Sequence, residues 1–377
     1  MVRGVCIIHG GDISKPFGGT HRVVTFAKAL RDAGFSVHLV VPKPSSSLPE
    51  GMEDIYVHIV PVGERETVDE PFRGLAVLLK AKKIAKANDL IIQIEHATLA
   101  GLATLMGYTN FVLDVHDLSF ADPRYLSLPF SKVVNKFLYK LEGRAVTFAS
   151  KIVVVSNPMK DFIIRNWNIS KEKIEVIPNG YFESEIEEMS DEKEENIIVR
   201  MGALYPHLDV DSIIRLANFL KNNDEDMKIY LIGDGGLRRE IEKRVLIENL
   251  SNIIITGSLP YKKAMKLTAK AKICFHVVKK NLATFVSCPV KILDYAALGK
   301  PMVLSDVSEL SRIFEQRRAA LVSSPTNPND FIENVHKLLN DEALRRRLGE
   351  NARRVVKDFT WEKQGKKLVK VYEEITK

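Results

Sequence analysis

Glutamine is almost missing from this chain. It occurs three times in 377 residues, at Gln93, Gln316 and Gln364, while Lys and Glu abound. That bias is a faint mark of a heat-adapted protein. Cysteine is as scarce. Cys6, Cys274 and Cys288 lie far apart and show no metal-ligand spacing. They argue against a disulfide framework and read as reduced thiols of a cytoplasmic protein. No apolar run approaches the roughly 18 residues of a membrane span. The opening MVRGVCIIHGGD has too short an apolar stretch for a secretory leader and reads as a first strand. Hydrophobic residues at 45% and charged ones at 27% exclude wholesale disorder. The length suggests two domains.

What is abundant is positive charge, unevenly spread. The formal net charge is +7. Residues 124–173 hold ten bases and three acids, and 72–87 add five bases and no acid. By contrast, 183–195 (ESEIEEMSDEKEE) carries eight acids and one lysine. With little apolar periodicity, it reads as a solvated connector between two halves. Each half alternates strand-like and helical segments. The apolar runs are 5–9, 37–42, 55–60, 90–94, 111–115, 151–155 and 174–177, then 196–202, 227–233, 252–256, 272–277, 301–305 and 319–322. Amphipathic stretches such as 20–33, 131–149, 209–221, 236–247, 260–271 and 329–340 lie between them. This alternation predicts an α/β protein with two doubly wound parallel sheets. The runs are apolar throughout, as strands covered on both faces are.

Five segments carry candidate chemistry. In PFGGTHRVV, Gly18-Gly19 opens a helix near Thr20, which suits either an anion or a plain strand-to-helix turn. In FVLDVHDLSF, His116 and Asp117 sit just past a strand's carboxyl end, where open parallel sheets place ligands. Alternatively, Asp117 caps the next segment and His116 fills a loop. VIPNGYF reads more simply as a hinge turn at Asn179-Gly180. LIGDGGLRR runs a strand into Gly233-Asp234-Gly235-Gly236, a turn that could hold a nucleotide but lacks the GxGxxG fingerprint. In SCPVKILDYAALGKPMV, Pro289 opens a helix whose N–H groups at Val290 to Ile292, beside Lys291, offer a diphosphate site. Asp294, one turn on, could accept from a ribose or be a plain helical carboxylate.

Together these segments resemble the GT-B glycosyltransferases of family 4. GGTHRVVTFAKALRDAGFSV is similar to that family's first glycine loop and helix, and VVVSNPMKDFI and VIPNGYF to the end of its first domain. MGAL, LIGDGG and ITGSL resemble strands of the second. CPVKILDYAALGKPMV resembles a variant donor motif, and DFTWEKQGKKLVKVYEEI a last helix that crosses back. The resemblance implies two Rossmann-like domains facing a cleft. An acceptor-side domain would span 1–180, with the helix 360–377 packing back on it, and a donor domain 190–358. It implies a retaining transferase moving a sugar from a nucleotide sugar to a glycan or lipid-linked acceptor, with no catalytic metal and no other cofactor. His116 would serve the transferred sugar. Gly18, Gly19 and Lys291 would face the donor phosphates. Gly233, Asp234, Val290, Ile292 and Asp294 would serve the nucleotide and its ribose, and Thr20, Arg22 and Asp117 the acceptor.

Three departures stand out. The family's Arg and Lys after the second domain's first strand are replaced by Ala203 and Leu208, and its first glutamate by Val286. His207, Lys279, Lys280 and Lys291 are the candidate substitutes. The alternative is a catalytically silent partner subunit that binds a nucleotide or glycan. Interleaved aromatics and a reader motif are lacking, so no nucleic-acid partner is expected. The basic amphipathic segments 72–87 and 130–151 suggest peripheral contact with an anionic membrane, or else docked helices with solvated charges.

Overall fold

Strands that are apolar from end to end need cover on both faces, and helices supply it here. The computed structural model describes residues 4–15, 18–62, 70–122, 130–189, 192–223 and 226–377. Pro16, Phe17, Arg124 and residues 190–191 therefore lie outside the described residues. The chain divides into two units. One is Met1–Asn179 with Trp361–Lys377, the other Gly180–Thr360.

The first unit holds β1 (Gly4–Ile8), α1 (Gly18–Asp32), β2 (Ser36–Pro42), β3 (Tyr56–Val60), α2 (Glu70–Asn88), β4 (Ile91–Glu95), α3 (Ala97–Leu105), β5 (Phe111–Val115), α4 (Ser131–Phe148), β6 (Ala149–Val154), α5 (Asn157–Trp167) and β7 (Ile174–Val176). The second holds α6 (Glu183–Glu187), β8 (Ile197–Met201), α7 (Val210–Asn223), β9 (Lys228–Ile232), α8 (Arg238–Ile247), β10 (Ile253–Gly257), α9 (Tyr261–Ala269), β11 (Ile273–His276), α10 (Leu282–Val286), α11 (Val290–Ala297), β12 (Met302–Ser305), α12 (Glu309–Gln316), β13 (Leu321–Ser323), α13 (Pro328–Asn340) and α14 (Glu342–Val356). The last helix, α15 (Trp361–Ile375), belongs to the first unit.

Both sheets are parallel. Their orders are β3-β2-β1-β4-β5-β6-β7 and β10-β9-β8-β11-β12-β13. Each order reverses once, between β1 and β4 and between β8 and β11. At such a reversal successive connections leave on opposite faces. A crevice then opens at the strands' carboxyl ends, where ligands bind.

The first unit is tied together by Arg22, on α1. It is fully buried, and its Nε and Nη2 donate to the two Asp114 oxygens on β5 at 2.7 and 2.9 Å. Its Nη1 donates to the carbonyls of Ile177 (2.9 Å) and Pro178 (3.3 Å) and to Asn179 Oδ1 (3.2 Å). The expectation that Arg22 faces an acceptor is thereby corrected, because all its reach is spent inside the fold. Thr20 is also buried, with its hydroxyl 3.5 Å from the Asp12 carbonyl. The helix α15 docks one face on α1. Trp361 meets Phe26 edge-on at 6.4 Å, and Gly365 admits Ala29 so closely that an added Cβ would stand 2.7 Å from it. The Tyr372 hydroxyl donates to Gln93 Oε1 (2.6 Å), and Gln93 donates to Glu95 (2.5 Å).

The acidic stretch is largely solvated, as its composition suggests, but it belongs to the second unit instead of lying between the two. Part of it forms α6, and Met189 is buried. Glu188 pairs with Lys262 (3.3 Å), Glu194 with Arg345 (3.9 Å) and Glu195 with Lys270 (3.0 Å). Bases of the second unit draw it onto that unit's surface.

Arg22→Ala leaves Asp114 buried and unpaired beside Glu95. Removing one partner of a buried pair costs about 3–5 kcal/mol. The thermal transition of the first unit should fall markedly in calorimetry while that of the second stays in place, and Arg22→Lys should fall between. An unshifted transition in Arg22→Ala would show that the pair does not hold this unit together.

Candidate functional site

In the first unit, the carboxyl ends of β1, β4 and β5 bring together His9, His96 and His116. The α1 start lies beside them. A Cβ on Gly19 would stand 3.5 Å from His116 Nε2, an ordinary contact distance, so the ring lies against the helix N-terminus. Helix α1 starts at Gly18, which puts both glycines in its first turn. His96 holds φ 84°, a left-handed backbone that a side chain adopts at a cost. From there its Nε2 reaches Asp117 Oδ1 at 2.5 Å, and its ring meets His116 edge-on at 5.5 Å. Burial, more than any charge nearby, lowers the His116 pKa, so its ring is neutral at pH 7. Burial, followed by the neighbouring histidines, takes His9 down to about 3. Among the described residues His116 Nδ1 is buried with no partner. A neutral imidazole with a spare nitrogen can take or give one hydrogen bond to a sugar hydroxyl.

Below these rings lie buried acids. Glu142 accepts from the Thr98 hydroxyl (2.7 Å) and the Ser119 N–H (2.9 Å), and burial raises its pKa to about 7. Glu95 is raised well above the usual carboxylate range by burial and then by Asp114. His96, His116 and Asp117 each present one ligand atom, all within 4.8 Å of one another, a spacing that a divalent ion could use.

In the second unit the reversal between β8 and β11 gathers cations instead. Arg200, on β8, is fully buried. It donates through Nη1 to the Gly202 carbonyl and through Nη2 to the Ala203 carbonyl at 2.7 Å, and its Nε has no partner among the described residues. Lys291, in the first turn of α11, lies across Gly202, where a Cβ would stand 2.5 Å from its Cε. Burial, then the Arg200 charge, lowers the Lys291 pKa to about 7. His276 is held well below its usual value by burial, then by Lys291, Arg200 and His207. Asp294 accepts from the Tyr261 hydroxyl at 2.9 Å, and burial lifts its pKa to about 7; its charge acts on Lys291, less than burial and Arg200 do. Among the described residues no carboxylate forms an ion pair with Arg200 or Lys291. Buried cations without anions are costly. This place is built to receive an anion.

Several assignments made on sequence change with these contacts. The apolar runs 196–202 and 272–277 hide Arg200 and His276, which read there as ordinary strand positions. The Ile292 N–H donates to the Pro289 carbonyl (3.2 Å), which leaves Val290 and Lys291 as the N–H groups at that helix start. Gly233 is required by packing: at φ 144° a Cβ would stand 2.3 Å from the Gly202 carbonyl. Asp234 is half-exposed, receives the Gly235 N–H (2.8 Å) and pairs with Arg238 (2.9 Å). Leu208 belongs to the buried core, so its position cannot present a cation. Lys279 and Lys280 are exposed, and Val286 is buried.

Comparison with known proteins agrees with this architecture. Residues 17–182 match the family described as Glycosyltransferase Family 4, and residues 182–355 match Glycosyl transferases group 1. An uncharacterized glycosyltransferase of Methanocaldococcus jannaschii is 29% identical over 363 residues, 95% of each chain. Sucrose-phosphate synthase from Thermosynechococcus elongatus superposes with a TM-score of 0.81 at 18% identity, covering 99% of each chain. Anabaena HepE in complex with UDP-glucose gives 0.73 at 15% identity, covering 98% of this chain and 99% of that one. These structural likenesses show the GT-B fold.

Lys291 carries a testable sign. Below pH 7 its ammonium is charged in the free protein, and above pH 7 it must take up a proton to meet an anion. Affinity for inorganic diphosphate should therefore fall by up to about tenfold per pH unit above 7. Calorimetric titrations of wild type and Lys291→Met should differ most at pH 6 and converge at high pH. A constant ratio across that range would remove Lys291 from the anion site.

Proposed function

Since the chain belongs to the group 1 glycosyl transferases, with a family 4 first half, we propose that it is a retaining, hexosyltransferase-like enzyme that moves a sugar from a nucleotide sugar to a glycan or lipid-linked acceptor. The observation that carries the donor assignment is the pair of buried cations, Arg200 and Lys291, at the second sheet's reversal, neither of them in an ion pair among the described residues. A nucleotide sugar brings a diphosphate, whose charge they would meet. As the glycosidic bond to the donor breaks, negative charge grows on the leaving diphosphate. Cations and N–H groups already in place stabilise that charge without reorganising, which favours the transition state over the ground state. The proposal needs no catalytic metal, because Arg200, Lys291 and the α11 N–H groups supply the electrostatics.

Arg200 answers the lost family cations. The Ala203 position has no charge, yet Arg200, three residues earlier, bonds the Ala203 carbonyl and lends its charge to the same loop. In the first unit His116 would hydrogen-bond a hydroxyl of the sugar, with His96 and Asp117 orienting it. Asp294 accepts from Tyr261 through Oδ1, and its other oxygen would serve a ribose hydroxyl. The silent-partner reading draws on Ala203 and Leu208, and turnover decides between the two.

A panel of UDP-, GDP- and ADP-sugars should include one that raises the thermal transition of the second unit. Stabilisation reaches about 2.7 kcal/mol at a hundred times Kd. Lys291→Ala should weaken that nucleotide sugar by about ten- to hundredfold, the worth of one charge-assisted hydrogen bond, and leave the free nucleoside unaffected. Arg200→Leu should also move the Lys291 pH midpoint upward, while Arg200→Lys should keep it near 7. His116→Ala should lower turnover more than donor affinity. Binding by no nucleotide sugar would refute the donor assignment, and binding without turnover on any acceptor would favour the silent partner.

A further inference from the structure

The outer face of α4 plays no part in the chemistry above. Its C-terminal half is anchored on α3, where Gly101 lets the Leu141 backbone pass: an added Cβ would stand 2.5 Å from the Leu141 carbonyl oxygen. Glu142, Leu138 and Leu141 point inward, and Tyr139 meets Phe120 edge-on at 5.1 Å. The N-terminal half does the opposite. Phe130 is 84% exposed, Val133 68% and Phe137 56%. Val133 and Phe137 lie one turn apart, and Phe130 caps the same end. Phe130 also holds φ 61°, a left-handed backbone that a bulky side chain adopts at a cost. A surface helix normally turns polar groups outward, so a cluster of three large apolar side chains calls for a ligand surface.

The charges beside the cluster say which surface. Lys132, Lys136, Lys140 and Arg144 follow one another at intervals of four and are all exposed. They form a stripe next to the apolar one. The helix's one acid, Glu142, is buried. Helix α2, which packs on α3 as α4 does, also turns Leu75 and Leu79 outward, with Lys80, Lys82, Lys83 and Lys86.

We propose that the outer face of α4 docks this protein on an anionic lipid bilayer, with Phe130, Val133 and Phe137 entering the acyl boundary and the lysine stripe lying on the headgroups. Apolar insertion combined with a basic stripe is the two-part signal that stable peripheral binding requires. A second copy of the chain fits less well. A two-fold axis crossing the helix at right angles would set one lysine stripe against the other, and three side chains fall far short of the roughly 800 Å² per partner that a stable dimer buries. The docking face and the candidate histidine site share one unit. Glu142 on α4 holds both Thr98 and Ser119, in the segments next to His96 and Asp117. A lipid-linked acceptor would so be met at the bilayer; only this last step rests on the function proposed above.

The test is sedimentation of the full chain with vesicles of phosphatidylcholine alone and of phosphatidylcholine mixed with phosphatidylglycerol, at low and moderate salt. Wild type should bind the mixed vesicles only, and salt should weaken it. K132E/K136E/K140E should lose at least about a hundredfold, since each base contributes roughly fivefold. F130S/F137S should lose about tenfold or more and keep its salt dependence. All of these sites are exposed, and melting curves check that the variants fold. Binding to neither vesicle, equal binding to both, or binding unchanged by charge reversal would overturn the proposal. A concentration-dependent dimer dissolved by F130S/F137S would also overturn it and assign the face to a second copy. Donor binding, read separately in K132E/K136E/K140E, should match wild type, so failure of docking is distinct from failure of the transferase reading.

Discussion

One buried guanidinium organises the first unit. Arg22 clamps Asp114 with two hydrogen bonds and reaches on to the backbone at Ile177 and Pro178. It thereby fixes three things at once. The α1 start carries Gly18 and Gly19, β5 leads into His116, and the Asn179 turn closes the unit. A planar, always-charged fork suits this role, because it can satisfy a carboxylate and still have a nitrogen for carbonyls. The geometry of the histidine cluster is therefore inherited in part from a residue outside the cluster.

The two units treat buried charge in opposite ways. The first collects acids, Glu95, Asp114 and Glu142, and pairs Asp114 with Arg22 while burial favours the protonated forms of Glu95 and Glu142. The second collects cations, Arg200 and Lys291, and among the described residues gives neither an ion pair, with Asp294 the one acid acting on Lys291. Neutral carboxyls and imidazoles are suited to hydrogen-bonding hydroxyls. Buried cations outside ion pairs are suited to phosphates. The polarity of each crevice thus follows from which charges the fold cancels and which it leaves.

The strands were legible because a covered strand is apolar at nearly every position, as in GVCII and FVLDV, and turns punctuate it. Strand order was not, since it depends on partners distant in the chain, and the crevices lie where order reverses. His116, Lys291 and Gly19 could be named because they stand at loop or helix starts. Arg200 could not: within IIVRM a single arginine looks like a solvated edge position. Its role emerges only when the Gly202 and Ala203 carbonyls fold back on it. Glu142 was hidden likewise among the lysines of α4, where an acid reads as a surface ion-pair partner. The helix α3, ATLAGLATL, has no polar face and so no helical period to read.

The passage of α15 into the first unit has a consequence for how the protein is made. The second unit is one continuous stretch, Gly180–Thr360, whereas the first waits for Trp361–Lys377. During synthesis the second unit can close as soon as it emerges, while β1 to β7 stay without the cover of Trp361, Leu368 and Tyr372. Those side chains seal α1, and Tyr372 completes the chain of hydrogen bonds through Gln93 to Glu95. A chain interrupted within the last helix would carry a finished anion crevice and a first unit whose α1 lacks its cover. In this chain the cover of α1 and the hydrogen bonds through Gln93 to Glu95 are completed only after the whole second unit has been synthesised.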